Sequence, residues 1–163
     1  FHSSPYTVRP VAKAGGNQSM FGGLTQLARE AGRIDDPIAR NLIGEAHALQ
    51  LAAGALSQRI PKAMMAGQLN EQAASIARLM MGRMSTRLMT IAWEIAGPAA
   101  GAWDEDSPLG RAAMMYLSRQ SGEIGGGTTE MARNVVSERV LGMPRERSQD
   151  KDVAFRDIPR GPS

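Results

Sequence analysis

The sequence has 163 residues, of which 42% are hydrophobic and only 4% aromatic, and its 19 basic and 16 acidic residues give a net charge of +3. This length allows one domain, or one domain with tails, and this composition is sufficient for a packed core. The absence of cysteine excludes a disulfide framework and a thiolate metal site, and it fits a reducing cytoplasm, which we expect as the protein's location.

The distribution of charged and apolar residues argues against nucleic acids and membranes as partners. A nucleic-acid interface gathers many basic residues on one face, whereas here the arginines alternate with acidic residues along every segment. The longest apolar stretch, residues 88–103, contains Glu94 and is broken at residues 97–98, so it falls short of a membrane span. We therefore expect no nucleic-acid partner and no membrane span.

The residue pattern in the first half of the chain predicts a loop followed by two helices. Residues 1–19 are rich in polar residues, Pro and Gly and are expected to form a lead-in loop, and a short helix over residues 20–33 follows. Asp36 can cap the second helix, and Pro37 suits its first turn. We expect Pro61 to end this helix, because proline cannot donate a helical hydrogen bond. Its apolar stripe, with steps of three or four residues, consists of Leu42, Ala46, Leu49, Ala53, Leu56 and Ile60.

Two more helices are predicted in the second half of the chain. Asn70 can cap a third helix that ends at Gly97-Pro98, and Ser107-Pro108 can open a fourth. The apolar stripe of the third helix consists of Ala73, Ile76, Met80, Met84, Leu88, Ile91 and Ile95. We interpret many methionines as core residues, because Met fills irregular gaps between helices. These are Met64, Met65, Met80, Met81, Met84, Met89, Met114 and Met115.

A last helix is predicted directly after three consecutive glycines, at positions 125–127. Thr128 or Thr129 can cap this helix through a side-chain oxygen. The helix is expected to run through Leu141, and Gly142 can supply a left-handed residue that stops it.

These elements together predict an all-α fold. We expect an up-and-down four-helix bundle over residues 20–142, with a short leading helix. Residues 143–163 contain prolines and many charges and are expected to form an extended C-terminal tail. His47 has no second ligand within reach on its predicted helix, so we expect no metal site.

The glycines at 125–127 raise a functional question, because glycine loses more backbone freedom on folding than any other residue. The first N–H groups of a helix have no partners within it and carry the positive end of its dipole, so this turn could bind an anion or a polar ligand. The alternative is a flexible turn that only joins two helices. The turn is not a P-loop, since no Gly-Lys-Ser/Thr follows, and not a dinucleotide fingerprint, since no strand precedes it.

The segment "GGTTEMARNVVSERVLGMPRE", residues 126–146, resembles the C-terminal signature of acyl-CoA dehydrogenases. That signature commonly reads Glu/Gly-Gly-Thr-Ser/Thr-Glu/Gln-Ile-Gln-Arg-Asn-Ile-Ile-Ala-Glu-Arg-Val-Leu-Gly. Upstream, "LAREAGRIDDPIARNLIGE" and "WEIAGPAAG" are similar to the bacterial branch of the family. The resemblance spans roughly residues 20–147 and corresponds to the C-terminal four-helix domain, about the last two fifths of such an enzyme.

The resemblance implies a flavoprotein that binds FAD and oxidises an acyl-CoA thioester. In this family a carboxylate removes the α-proton of the substrate while the β-hydride passes to the flavin, and an electron-transfer flavoprotein is the implied electron acceptor. The C-terminal bundle supplies oligomer contacts and part of the FAD site. The resemblance thus implies a homo-oligomer, or one chain of a heteromeric relative.

The resemblance also carries over particular residues to the cofactor. The threonine of the signature and the following acidic or amide residue lie beside FAD in the family, which implies roles for Gly127, Thr128 and Glu130. A second family loop, Gln-Ile-Leu-Gly-Gly, touches the dinucleotide and corresponds here to residues 94–98. Gly97 matches that loop, whereas its first and last positions differ.

Two departures from the family pattern bear on catalysis. Gly126 stands where many members carry the catalytic glutamate, so the position of the base is unknown; Glu123 and Glu130 are the nearby acids. The family's Arg-x-Phe-Gly motif is also missing, and the comparable region reads "GRIDDP". The alternative function is therefore a non-catalytic helical oligomerisation module, or the subunit without a base of a heteromeric dehydrogenase.

Overall fold

The computed structural model describes residues 18–102, 106–145 and 153–158. Within these residues the secondary structure is helical, with no strand, which confirms the all-α prediction. The helices are α1 (Gln18–Glu30), α2 (Pro37–Met65), α3 (Ala74–Ala96), α4 (Pro108–Ser118), α5 (Ser121–Ile124) and α6 (Thr129–Val135). Three short 3-10 segments, Glu71–Ala73, Gly97–Ala102 and Phe155–Asp157, and a π-helical continuation of α6, Val136–Val140, complete the described elements.

The helices begin at the residues whose side chains can cap them. Asp36 accepts a hydrogen bond from the backbone N–H of Ile38, 2.9 Å long, at the start of α2. Ser107 accepts one from the N–H of Gly110, 2.9 Å long, at the start of α4. Asn70 caps the 3-10 turn that leads into α3. These side chains satisfy N–H groups that have no partner inside their helices. The starts predicted at Asp36 and Ser107 are confirmed, whereas α3 itself begins at Ala74, after the 3-10 turn that Asn70 caps, and has no side-chain cap.

The predicted glycine stops are confirmed as well. Gly97, with φ of 64°, follows the last residue of α3, and Gly142, with φ of 67°, follows the π-helical end of α6. The first helix begins slightly earlier than predicted, at Gln18, so the last two residues of the expected lead-in loop are helical. The rest of that loop, residues 1–17, lies outside the described residues, as do residues 146–152 and 159–163 of the expected tail.

The prediction that Pro61 ends the second helix is wrong. Pro61 lies inside α2, which continues to Met65. A proline removes one hydrogen bond of the helix, but the side chain of Ile60 is buried and holds this part of the helix against its neighbours. The helix ends instead where Gly67 adopts a φ of 68° and the N–H of Gln68 donates to the carbonyl of Ala63 at 2.9 Å.

Helix α3 is the central element, and it packs against α1, α2, α4, α5 and α6. Many of the buried core residues are alanines, whose small side chains allow close packing of helices. The buried core consists of Leu24, Leu27, Ala28, Ala39, Leu42, Ala46, Ala53, Met84, Leu88, Ile91, Ala92, Ile95, Ala96, Ala100, Ala112 and Ala113. No described helix is long and apolar enough to cross a membrane.

The interpretation of the methionines as core residues is wrong for three of the eight: one is buried, four are half-buried and three are exposed. Of the eight, Met84 is buried at 4% exposure and Met80 packs partly against the core. Met65, Met81 and Met114 are exposed, with Met65 at 89%. A helix that packs on one side only leaves its other face open, and long flexible side chains there cost little.

An ion-pair network joins α2 to α3. The guanidinium of Arg87 donates to both carboxylate oxygens of Glu45, at 2.6 and 2.7 Å, and to Glu94 at 3.2 Å. The hydrogen bonds from Arg87 hold the pKa of Glu45 below its ordinary value of 4.5. Both side chains of the Arg87–Glu45 pair are about one third exposed, so solvent screens the interaction and its contribution to stability is modest.

We predict that the Arg87–Glu45 pair makes stability depend on pH. Because the pKa of Glu45 is lowered in the folded state, the pair stabilises the fold above pH 4.5 and this stabilisation is lost as the pH falls through the lower folded pKa. Glu45→Gln should therefore lower the free energy of unfolding by at most about 1 kcal/mol at neutral pH, and not at all in acid. Urea denaturation at both pH values measures this. In an Arg87→Met background the same substitution should have no effect, and an equal effect there would contradict the assignment.

The docking of α5 and α6 onto α3 depends on Gly82, which is buried on α3. A Cβ at this position would lie 2.9 Å from Nη1 of Arg78, 3.0 Å from Cγ2 of Thr129 and 3.4 Å from the carbonyl oxygen of Gly122. The contact with Arg78 is shorter than real Cβ contacts, so the guanidinium would have to move, and the contact with the buried Thr129 is tighter than most, so the start of α6 would have to shift by a few tenths of an ångström.

We predict that Gly82→Val destabilises the fold by about 1–3 kcal/mol, because the added atoms must displace Arg78 and the buried Thr129. Gly54→Val on α2 is the matched control, since no heavy atom lies within 4 Å of its Cβ position, and it should change stability by no more than about 0.5 kcal/mol. Chemical denaturation followed by far-UV circular dichroism compares the two variants. Equal stabilities would show that the close contact at Gly82 carries no energetic weight.

Candidate functional site

The three glycines form the turn between α5 and α6. Gly126 and Gly127 adopt φ angles of 75° and 103°, which side chains rarely tolerate, whereas Gly125 has an ordinary φ of −60°. The Cβ positions of Gly126 and Gly127 have no heavy atom within 4 Å. The backbone conformation therefore requires glycine at both positions, and the space beside them is open.

The turn is tied to α3 by an arginine. Nη2 of Arg78 donates hydrogen bonds to the carbonyl oxygens of Gly125, at 2.6 Å, and Gly127, at 2.8 Å. Arg78 lies one helical turn before Gly82, on the same face of α3. A turn of three glycines, which would otherwise sample many conformations, is therefore fixed by two charge-assisted hydrogen bonds.

The two threonines after the turn have different roles. Thr128 is the cap of α6, because its hydroxyl oxygen accepts a hydrogen bond from the N–H of Met131 at 3.1 Å. Thr129 is buried, at 1% exposure, against Gly82 of α3. Thr128 is half-buried, and it is the threonine that stands at the surface of the turn.

Glu130 is exposed, with 71% of its side chain accessible, and it pairs with Arg133 at 3.2 Å. Its own backbone N–H, the Thr129 hydroxyl and the charge of Arg133 hold its pKa below the ordinary value. The carboxylate is thus ionised at neutral pH and available to solvent. A general base works best with a pKa near the operating pH, so this environment suits a binding role better than proton abstraction.

The other acid near the turn, Glu123, lies on the short helix α5 and is half-buried. Among the described residues, no donor contacts its carboxylate. Gly126 has no side chain. The three glycines between α5 and α6 thus carry no carboxylate of their own, and Glu123 stands before them and Glu130 after them.

Gly97 lies at the opposite end of α3 from the turn. Its N–H donates to the carbonyl of Trp93, and the turn contacts α3 at Gly82, about 22 Å away along the helix axis. The structure therefore brings Gly127, Thr128 and Glu130 together, but it does not bring Gly97 to them.

A second arginine holds the Gly97 end. Arg33 follows α1 in the region that reads "GRIDDP", and its Nη1 donates to the carbonyls of Glu94, at 2.6 Å, and Ile95, at 3.2 Å. It also pairs with Asp36 at 2.6 Å. Arg33 thus satisfies carbonyls at the C-terminus of α3 that have no partner within the helix.

Sequence reasoning missed Arg78, Gly82 and Arg33. Arg78 and Arg33 act on backbone atoms 47 to 62 residues away, so no local pattern marks them. The spacing of four residues between Arg78 and Gly82 predicts that they share one face of a helix. It does not predict which segment of the chain packs against that face. The described residues contain no group of acids and histidines arranged to hold a metal ion.

The chain matches the family model described as "Acyl-CoA dehydrogenase, C-terminal domain" over residues 11–141. The match includes every helix from α1 to α6, both glycine turns and the two arginines that hold them.

Two curated relatives carry the name acyl-CoA dehydrogenase IpdE1. The protein of Mycolicibacterium smegmatis is 29% identical over 123 residues, which are 76% of this chain and 30% of that protein. The protein of Mycobacterium tuberculosis is 30% identical over 126 residues, 76% of this chain and 31% of that protein. The matched segment thus spans about three tenths of the length of each relative. No solved structure gives a significant match.

The family model covers most of the chain, and the helical bundle has the architecture expected of that domain. The chain therefore belongs to the acyl-CoA dehydrogenase family and contains its C-terminal helical domain.

Proposed function

We propose that the chain is the C-terminal part of an FAD-dependent acyl-CoA dehydrogenase and that the turn at Gly125–Gly127 forms part of its FAD site. The observation that carries this proposal is the pair of left-handed glycines, Gly126 and Gly127, which expose backbone next to open space. A turn of this kind lets a flat cofactor approach main-chain donors that a side chain would cover.

The residues at the turn are suited to a flavin. Thr128 and Glu130 lie at the surface beside the glycines, and they add a hydroxyl and a carboxylate to the backbone donors. FAD would supply hydride acceptance when bound, and these residues would bind and orient it. Gly97, at the other end of α3, would contact a distant part of the dinucleotide or the cofactor of another subunit.

The acyl-CoA substrate and the catalytic base complete this proposal. The lowered pKa of Glu130 favours a base elsewhere, and we place it in another part of the full enzyme or on a sister chain. The reaction would be α,β-dehydrogenation of a thioester, with an electron-transfer flavoprotein as the electron acceptor and the cytoplasm as the location.

We also propose that the bundle forms an oligomer contact. The resemblance to the family supports this proposal, and several large apolar side chains of the described helices are exposed and could take part in such a contact. They include Ile38, Leu51, Met65, Leu117, Ile124 and Met131.

The second candidate is a helical oligomerisation module without flavin, or the subunit without a base of a heteromeric dehydrogenase. Two observations favour it. Gly126 offers no carboxylate, and Arg33, in the region of the missing Arg-x-Phe-Gly motif, donates to backbone of its own chain and to Asp36.

The visible spectrum of the full-length protein separates the two candidates. The first predicts an absorption band of oxidised flavin in the purified protein, or after reconstitution with FAD. A colourless protein that does not take up FAD would support the second candidate. Size-exclusion chromatography of the same sample tests the oligomer.

We predict that Thr128→Val lowers FAD retention of the full-length protein by about tenfold while leaving the far-UV circular dichroism unchanged, because the variant lacks the hydroxyl at the surface of the turn. Thr128→Ser keeps the hydroxyl and should retain FAD. Because Val also removes the cap of α6, Ser107→Ala, which removes the cap of α4, controls for the cost of a lost cap. Retention by Thr128→Val equal to that of Ser107→Ala would count against the assigned role.

A further inference from the structure

We propose that Arg78 is a positioning residue for the flavin site: it holds the glycine turn so that the N–H groups of Gly126 and Thr128 face away from α3. This inference rests on the proposed function. Arg78 lies outside the C-terminal signature, yet it sets the conformation of the turn.

The orientation of the N–H groups follows from the hydrogen bonds of Arg78. In a trans peptide, the carbonyl of one residue and the N–H of the next point in opposite directions. The carbonyls of Gly125 and Gly127 both point to Nη2 of Arg78, at 2.6 and 2.8 Å. The N–H groups of Gly126 and Thr128 therefore point away from α3, on the side where the turn is open.

Arg78 can hold the turn because α3 leaves room for its guanidinium. A Cβ on residue 82 would lie 2.9 Å from Nη1 of Arg78, so the glycine at that position is what allows the guanidinium to lie between α3 and the turn. Helix α3 is packed on several sides, which makes it a rigid support. Fixing the backbone of the glycines costs conformational entropy. Because Arg78 fixes it when the chain folds, a ligand that binds later does not bear this cost.

The charge of Arg78 adds to this effect. Among the described residues, no acidic side chain forms an ion pair with Arg78, and its guanidinium donates to the two carbonyls. Its positive charge therefore lies beside the turn without a neutralising carboxylate. This charge favours electron-rich oxygen or nitrogen atoms of a ligand.

Three variants of the full-length protein test the inference. Arg78→Met removes the donors and the charge, and Arg78→Lys keeps the charge with a different donor geometry. Arg83→Met is the matched control, because Arg83 is an exposed arginine on the same helix. FAD affinity is measured by titration of the apoprotein with flavin fluorescence as the signal. Amide hydrogen exchange of the apoprotein over residues 121–131 is measured separately.

We expect Arg78→Met to weaken FAD binding by about tenfold or more and to accelerate exchange over residues 121–131. Arg78→Lys should restore part of both properties, and it keeps the test available if the Met variant does not fold. Arg83→Met should behave like the wild type.

Two results would overturn the inference while leaving the proposed function intact. The first is that Arg78→Met binds FAD with the affinity of the wild type, while Thr128→Val does not retain FAD. The other is weaker FAD binding with unchanged amide exchange, which would assign Arg78 a purely electrostatic effect. Wild-type affinity in both Arg78→Met and Thr128→Val would overturn the proposed function and, with it, this inference.

Discussion

The close approach of α6 to α3 at Gly82 is the constraint on which the candidate site depends. With no side chain at residue 82, the buried methyl group of Thr129 packs directly on α3, and the guanidinium of Arg78 fits beside it. That guanidinium reaches the carbonyls of the glycine turn. Packing at one residue thus fixes both where α6 begins and which way the peptide groups of the turn face.

At both ends of α3, an arginine side chain holds a glycine turn by hydrogen bonds to backbone carbonyls. Near its N-terminus Arg78 donates to the carbonyls of one turn, and at its C-terminus Arg33 donates to carbonyls just before Gly97. Each arginine satisfies two backbone acceptors through charge-assisted hydrogen bonds: Arg78 on two glycines of the turn, and Arg33 on the last turn of α3. Because these two ends lie about 22 Å apart, the described residues offer two separated surfaces, with Gly97 on one and Gly127, Thr128 and Glu130 on the other.

The electrostatics of the turn favour binding over acid-base chemistry. Glu130 is exposed, is paired with Arg133, and has a lowered pKa, while the position before Gly127 has no side chain. Arg78 contributes a positive charge that has no ion-pair partner in the described part of the chain. A site of this composition can hold and orient an electron-rich group, whereas the lowered pKa of Glu130 makes this carboxylate a poor general base.

The sequence by itself determined what depends on neighbouring residues: helix starts at Asp36 and Ser107, helix stops at Gly97 and Gly142, the all-α class, and the signature that identifies the family. A cap is a contact over two or three residues, so its pattern is visible in the chain itself. The tertiary structure decided that α2 continues through Pro61 and that three of the eight methionines expected in the core are exposed. It also decided that Arg78 and Arg33 hold the two glycine turns. These outcomes depend on which helix faces carry neighbours and on contacts between residues far apart in sequence, and no local pattern encodes either.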